Sequence, residues 1–336
     1  MGGKALKAFG VSRIPAKKYF ILKTELLFLA NKYQIYPEVP REDLSKVDYG
    51  DIDLLIDERS RLSKNFPSFF SELSAEGSIV NGSVTSCVWQ GVQVDLIFCK
   101  NDALAFTHFY LSYAILGMIL GVICRQLGYK FAMDGLYFRD GSKQGILITK
   151  DISKALRFLG YDYNNWLSSN EKYTTRNEVY KFLQSGDFFD VLYDISKYGA
   201  AKHRKRERQS EAYQAFVSWV QKQNGRRVHN IYNEYDAMLL LRQRLPEEYA
   251  AIEIEIARKR YAEYKRAQEA SRYTFKDFSE AYTEDFPGAK DKNIGEAYRH
   301  FLTSIYRKNM LTDELREKAK TFLRSLKLNK ASAKED

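Results

Sequence analysis

The sequence predicts an α+β protein: a mixed sheet with helices over the first 150 residues, then a mainly helical, basic region. Three observations carry this expectation. Short apolar runs bounded by turn residues recur between Asp51 and Thr149. Two of those runs hold aspartates in otherwise apolar surroundings. After Lys150 the apolar positions take helical spacing. A chain of 336 residues is also longer than a single core usually supports, so more than one region is expected.

Taken in order, Pro15 suits a first helical turn, with Ser12 as an early cap. Tyr19, Phe20, Leu22, Leu26, Leu27 and Ala30 then predict a helix over 16–33. Pro37 and Pro40 mark a loop. Residues 51–56 read as a strand and 60–73 as a helix; 78–80, 84–89 and 92–99 read as strands, the last two joined by a Gln90-Gly91 turn. Phe109 to Cys124 is almost wholly apolar and predicts one long helix ending near Gly128. Its Gly117 and Gly121 have the spacing of membrane helix dimers, but the run is about 16 residues against the roughly 20 needed to span a bilayer, so a buried helix is expected and no membrane partner. Residues 130–133 and 135–139 predict a small hairpin, with 146–149 pairing back. Helices are expected near 151–160, 175–183, 186–197, 203–223, 231–243, 246–271, 275–284, 294–307 and 312–327, with a polar tail from Lys327.

The formal charge is +10. Residues 1–150 carry 18 Lys and Arg against 15 acids, and the remainder 35 against 28, so the helical region holds most of the excess. A basic surface attracts phosphates, which makes nucleic acid a natural partner. Cys87, Cys99 and Cys124 show no CxxC spacing, and with four histidines they make no zinc set. Few, unpaired cysteines suit a reducing compartment, and the start Met-Gly-Gly-Lys has neither an apolar leader nor, with Leu6, a myristoylation signal; a cytoplasmic location is expected. There is no Walker loop, and no Ser-His-Asp or Cys-His motif that would use His203 or His229.

The strongest chemical signal is Gly50-Asp51-Ile52-Asp53-Leu54-Leu55-Ile56. On a strand, residues two apart share a face, so Asp51 and Asp53 project together while Ile52 and Leu54 enter the opposite face. Adjacent carboxylates repel unless a cation lies between them, and magnesium suits hard oxygen donors. Asp95, in Val92-Gln93-Val94-Asp95-Leu96-Ile97-Phe98, is a lone acid in an apolar strand that also needs a partner or a metal. If the two strands are neighbours, three carboxylates converge on one face.

This set resembles the nucleotidyltransferase superfamily, in particular the family X polymerases typified by DNA polymerase beta, which carry a Gly-Asp-hydrophobic-Asp strand and a later hydrophobic-Asp strand. The match lands on Gly50, Asp51, Asp53 and Asp95. The resemblance implies a palm-like catalytic domain over 1–100, a thumb-like nucleotide-contacting subdomain over 101–150 and a helical C-terminal region over 151–336. It implies two Mg2+ ions, with Mn2+ as a substitute, held by Asp51, Asp53 and Asp95, a (d)NTP substrate, and DNA or tRNA as acceptor. The family follows its third acid with a Tyr-Phe-Thr-Gly-Ser segment and a helix that contact the nucleotide. The comparable stretch begins Phe109-Tyr110-Leu111-Ser112-Tyr113, which places Tyr110, Ser112 and Gly117 near the nucleotide by resemblance, with Asp134-Gly135-Leu136 at the turn of the following hairpin.

The resemblance covers about residues 45–150. Where the family has a Gly-Ser or Gly-Gly ahead of the aspartate pair, this chain has Glu42-Asp43-Leu44-Ser45; Gly2-Gly3-Lys4 supplies the motif only across an inserted helix. Glycines there let backbone amides approach phosphate and Lys4 adds a point charge, with Arg13 assisting, or these residues are an ordinary terminus. The family's amino-terminal DNA-binding helices are missing, and the opening Met-Gly-Gly-Lys-Ala-Leu is similar to nucleotidyltransferases of large phages and viruses.

Lys202, Arg204, Lys205, Arg206 and Arg208 form the densest positive run, which reads either as a nucleic-acid contact or as a solvated helix face. Arg226-Arg227 adds to the same surface. Arg258, Lys259, Arg260, Lys265 and Arg266, interleaved with Tyr261 and Tyr264, form a second patch whose tyrosines either stack on bases or pack. Three functions therefore stand: nucleotide transfer to a nucleic-acid 3′-hydroxyl, the same chemistry on a protein or small-molecule acceptor, and non-catalytic nucleic-acid binding.

Overall fold

The computed structural model describes residues 5–168, 173, 175–197 and 210–271. The protein is a mixed α+β chain that divides into two compact units, Met1–Ile252 and Glu253–Asp336. The boundaries read near residues 100 and 150 mark changes of secondary structure inside the first unit.

A two-stranded ribbon joins β1 (Ile14–Pro15) to β2 (Asp48–Tyr49). Helix α1 (Ala16–Lys32) starts directly after Pro15, whose extended φ/ψ makes it the N-cap; no side chain caps this end, so Ser12 does not serve as one. The central sheet has the order β3 (Ile52–Asp57), β6 (Val92–Cys99), β5 (Val84–Trp89), β4 (Ser78–Asn81). β3 and β6 run parallel, and the other two pairs are antiparallel. Parallel neighbours need a long crossover, which α2 (Phe66–Leu73), β4 and β5 supply here. The β5–β6 turn places both Gln90 and Gly91 at positive φ, as a two-residue hairpin of matching twist requires. Ahead of α2 the expected helix is broken: Glu58–Leu62 forms a 3-10 turn capped by the Asp57 side chain, and α2 begins only at Phe66.

Both faces of the sheet are covered. Ile52, Leu54, Ile56, Val94 and Leu96 pack with Leu22 and Leu26 of α1 and Phe69 and Leu73 of α2. The other face carries Leu55, Ile97 and Cys99 under Leu104 and Leu111. Strands buried on both sides read as continuous apolar runs, so the two aspartate-bearing strands stand out.

The long apolar segment is not one helix. It forms α3 (Leu104–Leu111) and α4 (Leu116–Gln126), bent by 106° about a 3-10 turn over Ser112–Ala114. Tyr113 and Ala114 both sit at φ 57°, a left-handed conformation that no local periodicity announces in non-glycine residues. Among the described residues no single helix is long and apolar enough to cross a membrane, although the bent pair taken together has the length and composition. β7 (Tyr129–Ala132), β8 (Gly135–Phe138) and β9 (Ile146–Thr149) form the small antiparallel sheet, with Asp134 in its first turn.

The helical part continues through α5 (Ile152–Phe158), a short α6 (Tyr163–Ser168) that periodicity did not suggest, and α7 (Arg176–Gln184), capped by a Thr175–Glu178 box. Phe189–Lys197 is a 3-10 segment rather than an α-helix. α8 (Glu211–Gln221), α9 (Glu234–Arg244) and α10 (Pro246–Ser271) follow. The helices expected at 275–284, 294–307 and 312–327 lie outside the described residues, as do residues 203–209 of the helix expected at 203–223.

Candidate metal centre

The register of β3 against β6 sets Asp53 opposite Asp95, with Ile52 opposite Val94 and Leu54 opposite Leu96. In-register residues of paired strands share a face, so the two carboxylates project together. Asp51 stands two residues before Asp53, just ahead of the strand. One carboxylate oxygen from each of the three lies within 4.8 Å of the others, and all three side chains are half-buried.

The electrostatics follow from this crowding. Burial first, then the charges of Asp51 and Asp95, hold the Asp53 carboxyl well above the usual carboxylate range. Burial also raises Asp95, against hydrogen bonding with Ser86, Gln93 and Asp51. Ser86 is its cross-strand partner on β5, and Gln93, two residues back on the same face, donates from Nε2 to Asp95 Oδ1 at 2.9 Å. Three hard oxygen donors within sharing distance, with Asp53 and Asp95 disfavoured as bare anions, fit a divalent cation such as magnesium.

A cavity of about 290 Å³ opens beside this trio, lined by Asp51, Asp53, Gly50 and Tyr49 on one side. Its facing wall is the loop between α1 and β2, with Val39, Pro40, Arg41, Glu42, Asp43 and Lys46; Leu111, Tyr113 and Ala114 from the helix break close it. That loop is fixed at every step. Glu38 exchanges backbone hydrogen bonds with Leu55 at 2.9 and 2.8 Å. The Val39 carbonyl accepts from His108 Nε2 at 3.0 Å. The Arg41 amide donates to Ser112 Oγ at 3.0 Å, and the Tyr113 amide returns a bond to the Arg41 carbonyl at 2.6 Å. The Arg41 guanidinium stacks 3.8 Å from the Trp166 ring and donates to the Trp166 carbonyl at 2.7 Å. Asp43, 5% exposed at its side chain, pairs with Arg176 at 2.5 Å.

Glu42 is a fourth acid on this wall. Its carboxylate accepts from the Tyr19 hydroxyl and lies 2.5 Å from Lys23 Nζ. Burial pushes Glu42 up to about 7 and pushes the Lys23 ammonium down, so the attraction of this pair is set against the water both have lost. Arg13 lines the cavity with its charge turned to Asp48, 2.6 Å away. Lys46 lies 5.4 Å from the Tyr49 ring, and its ammonium makes no ion pair or hydrogen bond among the described residues.

The structure thus brings Asp51, Asp53, Asp95, Gly50 and Arg13 to one centre, while Tyr110, Ser112 and Gly117 are not among the residues lining the cavity. Tyr110 packs on Gly117, where a Cβ would meet its ring at 2.5 Å, and stacks on Phe131. Ser112 is fully buried and donates to the His108 carbonyl at 2.7 Å. Tyr113 takes the wall position instead, because the left-handed break turns it there. Sequence reading missed Arg41, Glu42, Lys46, Tyr113 and the Gln93–Asp95 bond; the half-polar stretch directly after Pro40 was the available signal for the first three.

Gly2, Gly3 and Lys4, and the run Lys202, Arg204, Lys205, Arg206 and Arg208, lie outside the described residues. Arg226 is exposed, whereas Arg227 is half-buried and donates to the His229 carbonyl. His229 pairs with Asp190 at 2.6 Å. On α10, Arg258, Arg260, Lys265 and Arg266 are exposed, with Tyr261 exposed among them. No protein-family model matches the chain, and no curated protein matches it.

Proposed function

We propose that the protein is a nucleotidyltransferase of the DNA polymerase beta type, moving a nucleotide from a (d)NTP to a nucleic-acid 3′-hydroxyl. The observation that supports this most directly is the parallel pairing of Asp53 with Asp95, with Asp51 beside them and all three within 4.8 Å. In the reaction the acceptor oxygen bonds the α-phosphorus, the bond from that phosphorus to the β-phosphate oxygen breaks, and pyrophosphate leaves. When bound by Asp51, Asp53 and Asp95, two Mg2+ or Mn2+ ions supply an acidified acceptor hydroxyl and charge neutralisation on the leaving pyrophosphate. Asp95, its carboxylate oriented by Ser86 and Gln93, takes the hydroxyl proton. Lys46 sets positive charge on the cavity wall, where the anionic triphosphate needs it, while Arg13 lines it paired with Asp48. Tyr113 and the Arg41 loop shape the space around the sugar and base.

A small-molecule or protein acceptor would use the same three acids. The exposed cations of α10 and the overall charge of +10 favour a polyanionic acceptor. Labelled nucleotides incubated with Mg2+ and, separately, primer-template DNA, tRNA and protein distinguish these. Extension of a nucleic acid supports the reading, label on protein alone moves it to the second acceptor class, and absence of transfer to any acceptor with DNA binding intact refutes it.

A further inference from the structure

Gln93 is 2% exposed, and both ends of its amide are committed. Its Oε1 accepts from the backbone amide of Leu6 at 3.3 Å, across 87 positions of sequence, while its Nε2 donates to Asp95 Oδ1 at 2.9 Å. The orientation of the amide follows from its partners: a backbone N–H can only donate and a carboxylate accepts, so the carbonyl faces Leu6 and the amino group faces Asp95. Leu6 itself is fully buried, so the bridge is not a surface contact of a loose end. A single buried side chain therefore links the backbone near the amino terminus to one of the three carboxylates.

We propose that Gln93 is a positioning residue that couples the amino-terminal segment to Asp95, so that seating of Leu6 and cation binding by the three aspartates favour one another. This rests on the reading of those aspartates as a metal centre. The physical reason is that an ungripped Gln93 amide can turn its carbonyl towards Asp95, where it repels the carboxylate. With Leu6 seated, only the donor faces Asp95, and the carboxylate is held in one rotamer facing Asp51 and Asp53. Linkage is reciprocal: whatever tightens cation binding through this bond must also tighten the seating of Leu6. Partners that orient a metal ligand commonly carry 10–100-fold in affinity, about the size expected here.

The test uses the full chain, the Gln93→Met variant, a chain lacking residues 2–6, and the two changes combined. Mn2+ binding is followed by the loss of the free-ion electron paramagnetic resonance signal, and amide exchange is followed over residues 6–9. Each change alone is expected to weaken Mn2+ binding about tenfold, and the combination no more than either alone. Mn2+ is expected to slow exchange at Leu6 in the full chain and not in Gln93→Met. Should Gln93→Met fold poorly, the truncated chain and the exchange of the full chain decide the matter. Multiplying losses, unchanged binding in the truncated chain, or exchange at Leu6 that ignores Mn2+ would overturn the coupling while leaving the metal centre intact. A full chain that binds no Mn2+ would remove the metal centre, and the coupling with it.

Discussion

Asp53 and Asp95 face one another across a parallel strand pair, register partners with their carboxylates on the same side of the sheet. Nothing in the described residues neutralises them by a direct ion pair, and Asp51 adds a third charge. The fold thus holds an arrangement that opposes its own stability whenever the acids are ionised and no cation is present.

Asp53→Asn tests that cost. A carboxyl whose folded pKa lies above its unfolded value is a group whose native state holds the proton longer, so stability falls as pH rises from the ordinary aspartate range towards the raised value. At pH 7–8 without divalent ions, Asp53→Asn is expected to raise the melting temperature by about a few degrees, and to shrink the further rise that Mg2+ gives the parent protein. Thermal melts with and without Mg2+ check both; a lower melting temperature for Asp53→Asn in metal-free buffer counts against mutual repulsion of the acids.

Glu42 should leave a mark near neutral pH, because burial has raised it to about 7. Tyr19, Lys23, Lys46, Tyr49 and Asp53 are the groups that face it or feel its charge. Its raised pKa means that stability is lost as pH rises from the usual glutamate range through about 7. Glu42→Gln is expected to flatten that part of the stability profile. Denaturant midpoints between pH 5 and 9 measure it, and a decline unchanged from the parent rules the group out.

Much of this was legible in the sequence, and the parts that were not have a common cause. The strand Val92–Cys99 and its turn were readable because a short apolar run and a Gln-Gly pair are local signals. The three acids stood out because charge inside an apolar strand is expensive. Their meeting depended on β3 and β6 being neighbours, which no local pattern states. The break at Tyr113 and Ala114 was hidden because neither residue is a helix-stop type, and tertiary bonds from Arg41 hold the turn. The Leu6–Gln93 bond joins positions 87 apart and has no sequence signature at all.

The break makes its own prediction. A left-handed alanine costs roughly 1–2 kcal/mol, and glycine relieves this while adding unfolded-chain entropy of about 0.4–1 kcal/mol. Ala114→Gly should therefore leave stability equal or raise it by up to about 1.6 kcal/mol, while the loosened cavity wall lowers transfer activity severalfold. Paired denaturation and steady-state kinetics check it; a clear loss of stability would show that the conformation carries no strain.

Lys46 lines the cavity wall, and no described carboxylate lies within ion-pair distance of its ammonium. Lys46→Ala is expected to raise KM for the nucleotide about tenfold, a binding loss near 1.4 kcal/mol, with a smaller change in kcat. Kinetics across nucleotide concentrations measure this, and an unaltered KM removes Lys46 from the nucleotide site.

Asp95→Asn keeps the shape of the side chain and removes its charge, and so isolates what that carboxylate does in nucleotide transfer. Labelled nucleotide, Mg2+ and primer-template DNA are supplied under single-turnover conditions, with circular dichroism confirming an unchanged fold. Transfer is expected to fall by at least about a thousandfold, in line with the loss of a group acting at the reacting atoms. An Asp95→Asn protein that extends the primer at the parent rate would remove Asp95 from the reaction and the three aspartates from catalysis.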